Sequence, residues 1–104
     1  MGDRANIVVK AGDEQVCLYS HWGGSELPTI LRRALHRGRP RWNDFQYLTR
    51  IIFMALGNEM GLTGLGITQR PWDGKGNIIT VDIDAQTVAL PSCDPVSFDR
   101  YVES

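Results

Sequence analysis

Cationic and aromatic side chains are concentrated in residues 19–42, which read YSHWGGSELPTILRRALHRGRPRW. This segment contains both histidines and two of the three tryptophans. It also carries five of the eleven Lys and Arg residues, namely Arg32, Arg33, Arg37, Arg39 and Arg41. Guanidinium groups pair bidentately with phosphate, and aromatic rings stack on bases. The segment is therefore typical of a surface that binds an anionic, aromatic partner.

A pair of glycines, Gly23 and Gly24, precedes a predicted helix with Ser25 as its N-cap. Free amides at a helix N-terminus suit an anion. A glycine pair at this place is equally an ordinary tight turn, and both readings stay open. The neighbouring His21 and Trp22 favour contact with a ligand, because an indole ring stacks on a base.

The arginines of the predicted helix are spaced so that like charges lie together. Arg33 and Arg37 are four residues apart, as are Arg32 and His36. Such pairs cost about a few tenths of a kcal/mol each unless an anion neutralises them. Two explanations remain open, a phosphorylated ligand or a solvated face bridged to the acidic C-terminal segment or to Asp82 and Asp84.

The predicted ligand site combines these features and has one role for each group. We expect Trp22, or else Trp42 or Tyr19, to stack on a base. The other groups bind oxygen atoms. Phosphates pair with Arg33, Arg37 and Arg41, the amides of Gly23 and Gly24 approach an oxygen, and His21 donates a hydrogen bond.

No complete catalytic motif is present, so we expect a protein without enzymatic activity, cofactor or metal. Asp82 and Asp84 alternate along a predicted strand, roughly 7 Å apart, and paired carboxylates can hold a cation. No third ligand stands at a diagnostic spacing. A metal-dependent hydrolase that uses His21, Asp82 and Asp84 is therefore a third hypothesis only.

Composition indicates one globular domain of 104 residues with a formal net charge of −1, which argues against binding of duplex nucleic acid. The longest apolar run, residues 51–56, is too short to span a bilayer, and no signal-peptide pattern is visible. Cys17 lies in a strand-like run, where a reduced, packed thiol is usual. We expect a soluble cytoplasmic protein.

Hydrophobic periodicity predicts the elements of the first half. Residues 6–10 and 15–20 alternate like a β-hairpin. A helix ending near Gly38 has the apolar stripe Leu27, Ile30, Leu31, Ala34 and Leu35. A second helix, from an N-cap at Asn43 to about Asn58, has the stripe Phe45, Leu48, Ile51, Ile52, Ala55 and Leu56, widened by Tyr47, Phe53 and Met54.

Three further strands are predicted at residues 65–69, 78–84 and 87–90, followed by a tail in which Ser97 caps a short helix. The order β-β-α-α-β-β-β predicts an α+β fold, with an antiparallel sheet, helices on one face and a short helical C-terminal tail. Within the single domain 1–104 we expect residues 1–90 to form the compact core and 91–104 the tail.

Four motifs resemble a group of small proteins of phages and prophages. They are Met1-Gly2-x-Arg4-Ala5-Asn6, Tyr19-x-His21-Trp22-x-Gly24, residues 48–53 (LTRIIF) and Val81-Asp82-x-Asp84-x-Gln86-Thr87-Val88. The resemblance covers most of the chain up to about Leu90 and implies a viral or mobile-element context, with no activity attached.

In that context, an analogy with anti-defence sponges of phages gives the leading hypothesis. Such proteins are homo-oligomers that sequester cyclic nucleotides or cyclic ADP-ribose isomers without catalysis. The alternative hypothesis is a protein-binding inhibitor, in which the basic helix docks on an acidic host protein.

Overall fold

A computed structural model describes residues 5–20, 26–60, 65–69, 78–91 and 93–103, except for the side chains of residues 59 and 60. The described strands are β1 (Ala5–Ala11), β2 (Glu14–Ser20), β3 (Leu65–Thr68), β4 (Ile78–Asp82), β5 (Thr87–Ala89) and β6 (Val96–Ser97). The helices are α1 (Leu27–Arg37), α2 (Phe45–Met60) and α3 (Phe98–Glu103), with a 3₁₀ helix at Arg39–Arg41. This arrangement confirms the predicted α+β class.

The predicted N-terminal hairpin is confirmed, with Ala5 opposite Ser20 and Ala11 opposite Glu14. Gly12 occupies its turn at a φ of 59°, a left-handed conformation that glycine adopts without a Cβ clash. The amide of Gly12 donates a 2.6 Å hydrogen bond to the Asp84 carboxylate. The hairpin turn is thereby tied to the turn that follows β4.

The sheet is mixed, whereas the sequence predicted an antiparallel one. In the part of the chain that the structure describes, the strand order is β3-β2-β1-β4-β5-β6. Four of the five pairings are antiparallel, and β1 pairs with β4 in parallel. The reason is that β3 adds to the outer edge of β2 instead of forming a hairpin with β4. Both β3 and β4 then run in the same direction as β1.

The three helices pack on one face of this sheet, as predicted. Ile7 and Val9 of the central strand β1 are fully buried there, in register with Ile79 and Val81 of β4. The helices contribute the larger side chains of the same core, namely Leu27, Leu31, Leu35, Leu48, Ile52, Leu56 and Phe98. The opposite face of β2 holds the buried free thiol of Cys17, and burial raises the pKa of that thiol.

Helix α1 ends at Gly38, whose amide donates to the Ala34 carbonyl at 2.8 Å. Gly38 has a φ of −88°, so glycine is not needed here for a left-handed turn. A Cβ at this position would lie 2.9 Å from Leu48 Cδ1 and 3.1 Å from the Ala34 carbonyl oxygen. The absence of a side chain lets the end of α1 approach α2 closely.

Asp44, and not the predicted Asn43, caps the N-terminus of α2. Its carboxylate accepts from the Tyr47 amide at 3.2 Å, and its carbonyl accepts from the Leu48 amide at 2.9 Å. The Asn43 side-chain oxygen instead accepts a hydrogen bond from Gln86. Asn and Asp are both good N-cap residues, so the sequence does not decide between positions 43 and 44. Tertiary contacts select Asp44.

Residues 93–103 belong to the folded unit, although the sequence suggested a tail beyond the core. Here β6 pairs with β5, and Phe98 and Tyr101 are buried in the common core. The predicted cap is confirmed, because Ser97 Oγ accepts from the Arg100 amide at 3.3 Å. The Tyr101 hydroxyl donates to the Pro28 carbonyl at 2.6 Å, and burial raises the pKa of Tyr101 to about 12. None of the helices in the described ranges has the length and apolar character needed to cross a membrane.

Gly38→Ala should destabilise the protein by about 1 to 3 kcal/mol, because the new methyl group overpacks the contact between α1 and α2. Gly66→Ala is the matched control. Its Cβ would meet only Tyr19 Cδ2, at 3.9 Å, an ordinary contact, so we expect a change within about 0.5 kcal/mol. Urea unfolding followed by circular dichroism measures both, and equal midpoints for the two variants would contradict the close approach at Gly38.

Candidate functional site

The outer face of α1 carries the basic side chains that the sequence placed there. Arg33, His36 and Arg37 are exposed and Arg32 is half-buried, while the apolar stripe faces the core. His36 and Arg37 lie in the last turn, where the helix dipole favours positive charge. The helix therefore presents its cations on a side where another molecule can reach them.

A small cleft of about 110 Å³ lies between α1 and α2. Arg33 and Arg37 line it from α1, and Asn58 lines it from α2. Ile30 and Ala55 complete it with apolar surface. Two guanidinium groups and a carboxamide in so small a volume can bind one anionic group through several N–H donors.

The arginines of residues 19–42 differ in their ion-pair partners. Arg39 pairs with Asp99 at 3.2 Å, and Arg41 pairs with Asp44 at 3.4 Å. These two arginines are thus bridged to carboxylates. By contrast, Arg37 forms no ion pair with any residue that the structure describes. Its charge remains available to an external anion.

Tyr47 is a further aromatic residue of α2. It was not identified from the sequence as a site residue, because periodicity groups it with the apolar stripe of that helix. Its ring is 45% exposed and lies 4.4 Å from the Arg41 guanidinium carbon and 5.6 Å from that of Arg50. Arg50 also donates to the Met54 sulfur at 3.2 Å, and Met54 is 53% exposed. Spacing places residues 47, 54 and 58 on one helical face, but it does not show that this face is exposed.

Trp42 lies in the hydrophobic core and is only 8% exposed. Its indole N–H donates to the Leu35 carbonyl at 2.9 Å, and its ring meets Phe98 edge-to-face at 5.1 Å. The Arg39 guanidinium lies 4.7 Å from the ring centroid. Leu35 is in the last turn of α1, where carbonyls lack intrahelical partners, so Trp42 caps that turn.

Of the other predicted site residues, Tyr19 is not brought to the cleft. Tyr19 projects from the sheet face opposite the helices, because it alternates with the core residue Leu18. Within one chain it is separated from Arg33 and Arg37 by the sheet. His21, Trp22 and the glycines 23 and 24 lie outside the described residues.

The carboxylates Asp82 and Asp84 both have local partners. Asp82 lies 3.9 Å from the Lys10 ammonium and accepts from the Ala85 amide at 3.1 Å, while Asp84 accepts from Gly12. Across the described ranges, no three His, Cys, Asp or Glu side chains are placed together to hold a metal ion.

Comparison with family models, with curated proteins and with solved structures finds no match to this chain. The geometry of the cleft and of the adjoining face of α2 is therefore the basis for assigning a function.

Trp42→Phe should destabilise the fold by about 1 to 3 kcal/mol, because the buried Leu35 carbonyl loses its donor. Tyr47→Phe is the control, since that side chain is exposed, and we expect a change within about 0.5 kcal/mol. Chemical unfolding of the two variants measures the difference. A Trp42→Phe protein as stable as the wild type would contradict the structural role of the indole N–H.

Proposed function

We propose that this protein binds and sequesters a phosphorylated, nucleotide-like small molecule without catalysis. The observation that supports this proposal is the cleft in which Arg33, Arg37 and Asn58 converge. A phosphate there relieves the repulsion between the two like charges and accepts charge-assisted hydrogen bonds. These arginines are exposed, so the affinity of the site falls as salt is added.

The side chains around the cleft favour sequestration over turnover. Of the described residues that line it, the polar ones are Arg33, Arg37 and Asn58. Neither a guanidinium group nor a carboxamide is a usual nucleophile or general base. Among the described residues, the cleft offers groups that bind an anion and none that would cleave it.

The phage-type sequence motifs give this proposal its biological context. A small binder of a nucleotide immune signal, such as a cyclic nucleotide or a cyclic ADP-ribose isomer, acts as a counter-defence protein in the cytoplasm of the host cell. We propose a homo-oligomer. Since Tyr19 lies across the sheet from Arg33 and Arg37, Tyr19 contributes to this site only from a second copy.

A second candidate, a protein-binding inhibitor of a host defence protein, is supported by the surface beside the cleft. Tyr47 and Met54 are exposed next to Arg50, and Tyr and Arg are frequent hot-spot residues in protein interfaces. This candidate would be favoured if the chain binds no nucleotide and recovers a stoichiometric protein partner from host lysate.

Arg37→Ala should lower the affinity for AMP about tenfold, because a charge-assisted hydrogen bond to phosphate is lost. Isothermal titration at low ionic strength measures this, and adenosine, which lacks the phosphate, should bind neither protein. The melting temperature should not change, because Arg37 is exposed.

Arg100→Ala is the matched control for that variant. It removes the same charge from an exposed position on α3 that does not line the cleft. We expect wild-type affinity for AMP. Equal losses in the two variants would indicate a general effect of net charge, and no loss in Arg37→Ala would remove Arg37 from the site.

A further inference from the structure

We infer that Tyr47 is the base-stacking residue of the ligand site and that the ligand is a phosphorylated compound with two nucleoside units. This inference rests on the proposed function, since it assumes a phosphate between Arg33 and Arg37. In this role Tyr47 replaces Trp42, whose ring is enclosed in the core and cannot stack on a base.

Tyr47 has the exposure and the neighbours that stacking requires. Its ring is 45% exposed, and the guanidinium groups of Arg41 and Arg50 lie 4.4 and 5.6 Å from the ring centroid. Arg41 is also held by its ion pair with Asp44. Arg50 lies farther from the ring and has no ion pair with any described residue, so Arg50 is the group that a base displaces.

Tyr47 lies on the same side of the helical layer as the cleft. Along α2, Tyr47 and Asn58 are separated by eleven residues, or three turns, and Met54 lies between them on that face. Asn58 lines the cleft, and Met54 is 53% exposed. A continuous strip of accessible side chains therefore joins the cleft to the Tyr47 ring.

The length of this strip sets the size of the ligand. From Tyr47 the helical rise places Ala55 about 12 Å away and Asn58 about 16 Å away. A mononucleotide is too short to fill the cleft with its phosphate and also reach the Tyr47 ring with its base. The cleft itself, at about 110 Å³, has room for a phosphate group but not for a base as well. A molecule with a second nucleoside unit spans both positions.

Isothermal titration of the full chain with AMP and with the linear diadenylate pApA, at one low ionic strength, tests this inference. The terminal phosphate of pApA reaches the cleft while its far adenine reaches Tyr47. We expect pApA to bind at least about fivefold more tightly than AMP, as one added base–aromatic stack provides. Tyr47→Ala should reduce the affinity for pApA to that for AMP and leave AMP binding unchanged, whereas Tyr47→Phe should retain both affinities.

Two different failures can be told apart. If AMP binds in an Arg37-dependent manner, but pApA is no tighter or Tyr47→Ala does not weaken it, then the inference about Tyr47 is overturned and the proposed function stands. If neither AMP nor pApA binds the wild-type protein, the proposed function fails and the inference fails with it. Circular dichroism melting confirms that the Tyr47 variants are folded.

Discussion

The close approach between the end of α1 and the first two turns of α2 is the constraint on which the arrangement of the helical layer depends. Gly38 has no side chain where a Cβ would meet Leu48 and the Ala34 carbonyl. Because the two helices can approach at this point, their apolar stripes share one core over the sheet. The indole N–H of Trp42, in the connection between the two helices, then donates to the Leu35 carbonyl.

The same contact separates the arginines into groups with different surroundings. Once α1 has ended, the 3₁₀ helix directs Arg39 toward Asp99 and Arg41 toward Asp44. Arg33 and Arg37, on α1 itself, face the groove beside α2 and line the cleft with Asn58. A segment that reads as one basic cluster in the sequence therefore divides between the ion pairs of Arg39 and Arg41 and the cleft that Arg33 and Arg37 line.

Periodicity was sufficient to predict α1, α2 and the β1–β2 hairpin, because each has a regular apolar pattern. It could not predict the parallel β1–β4 pairing. That pairing depends on where β3 is inserted, and the residue pattern of a single strand does not reveal its neighbours in the sheet. Of the candidate site, Arg33 and Arg37 could be placed on the exposed face of their helix. Trp42 could not be assigned to the core, since it lies in a short connection where periodicity gives no face. Tyr47 was grouped with apolar residues because only packing decides which edge of α2 stays exposed.

The energetics of the cleft link ligand binding to the stability of the helical layer. Arg33 and Arg37 repel each other one turn apart, an unfavourable contribution of about a few tenths of a kcal/mol. An anion that binds both removes this repulsion, and a ligand that binds only the folded chain also stabilises it by mass action. The cleft is formed by two helices that meet again at Gly38, so such a ligand joins them at a second point. Binding of the proposed anion and helix packing would therefore reinforce each other, because both would depend on the same relative position of α1 and α2.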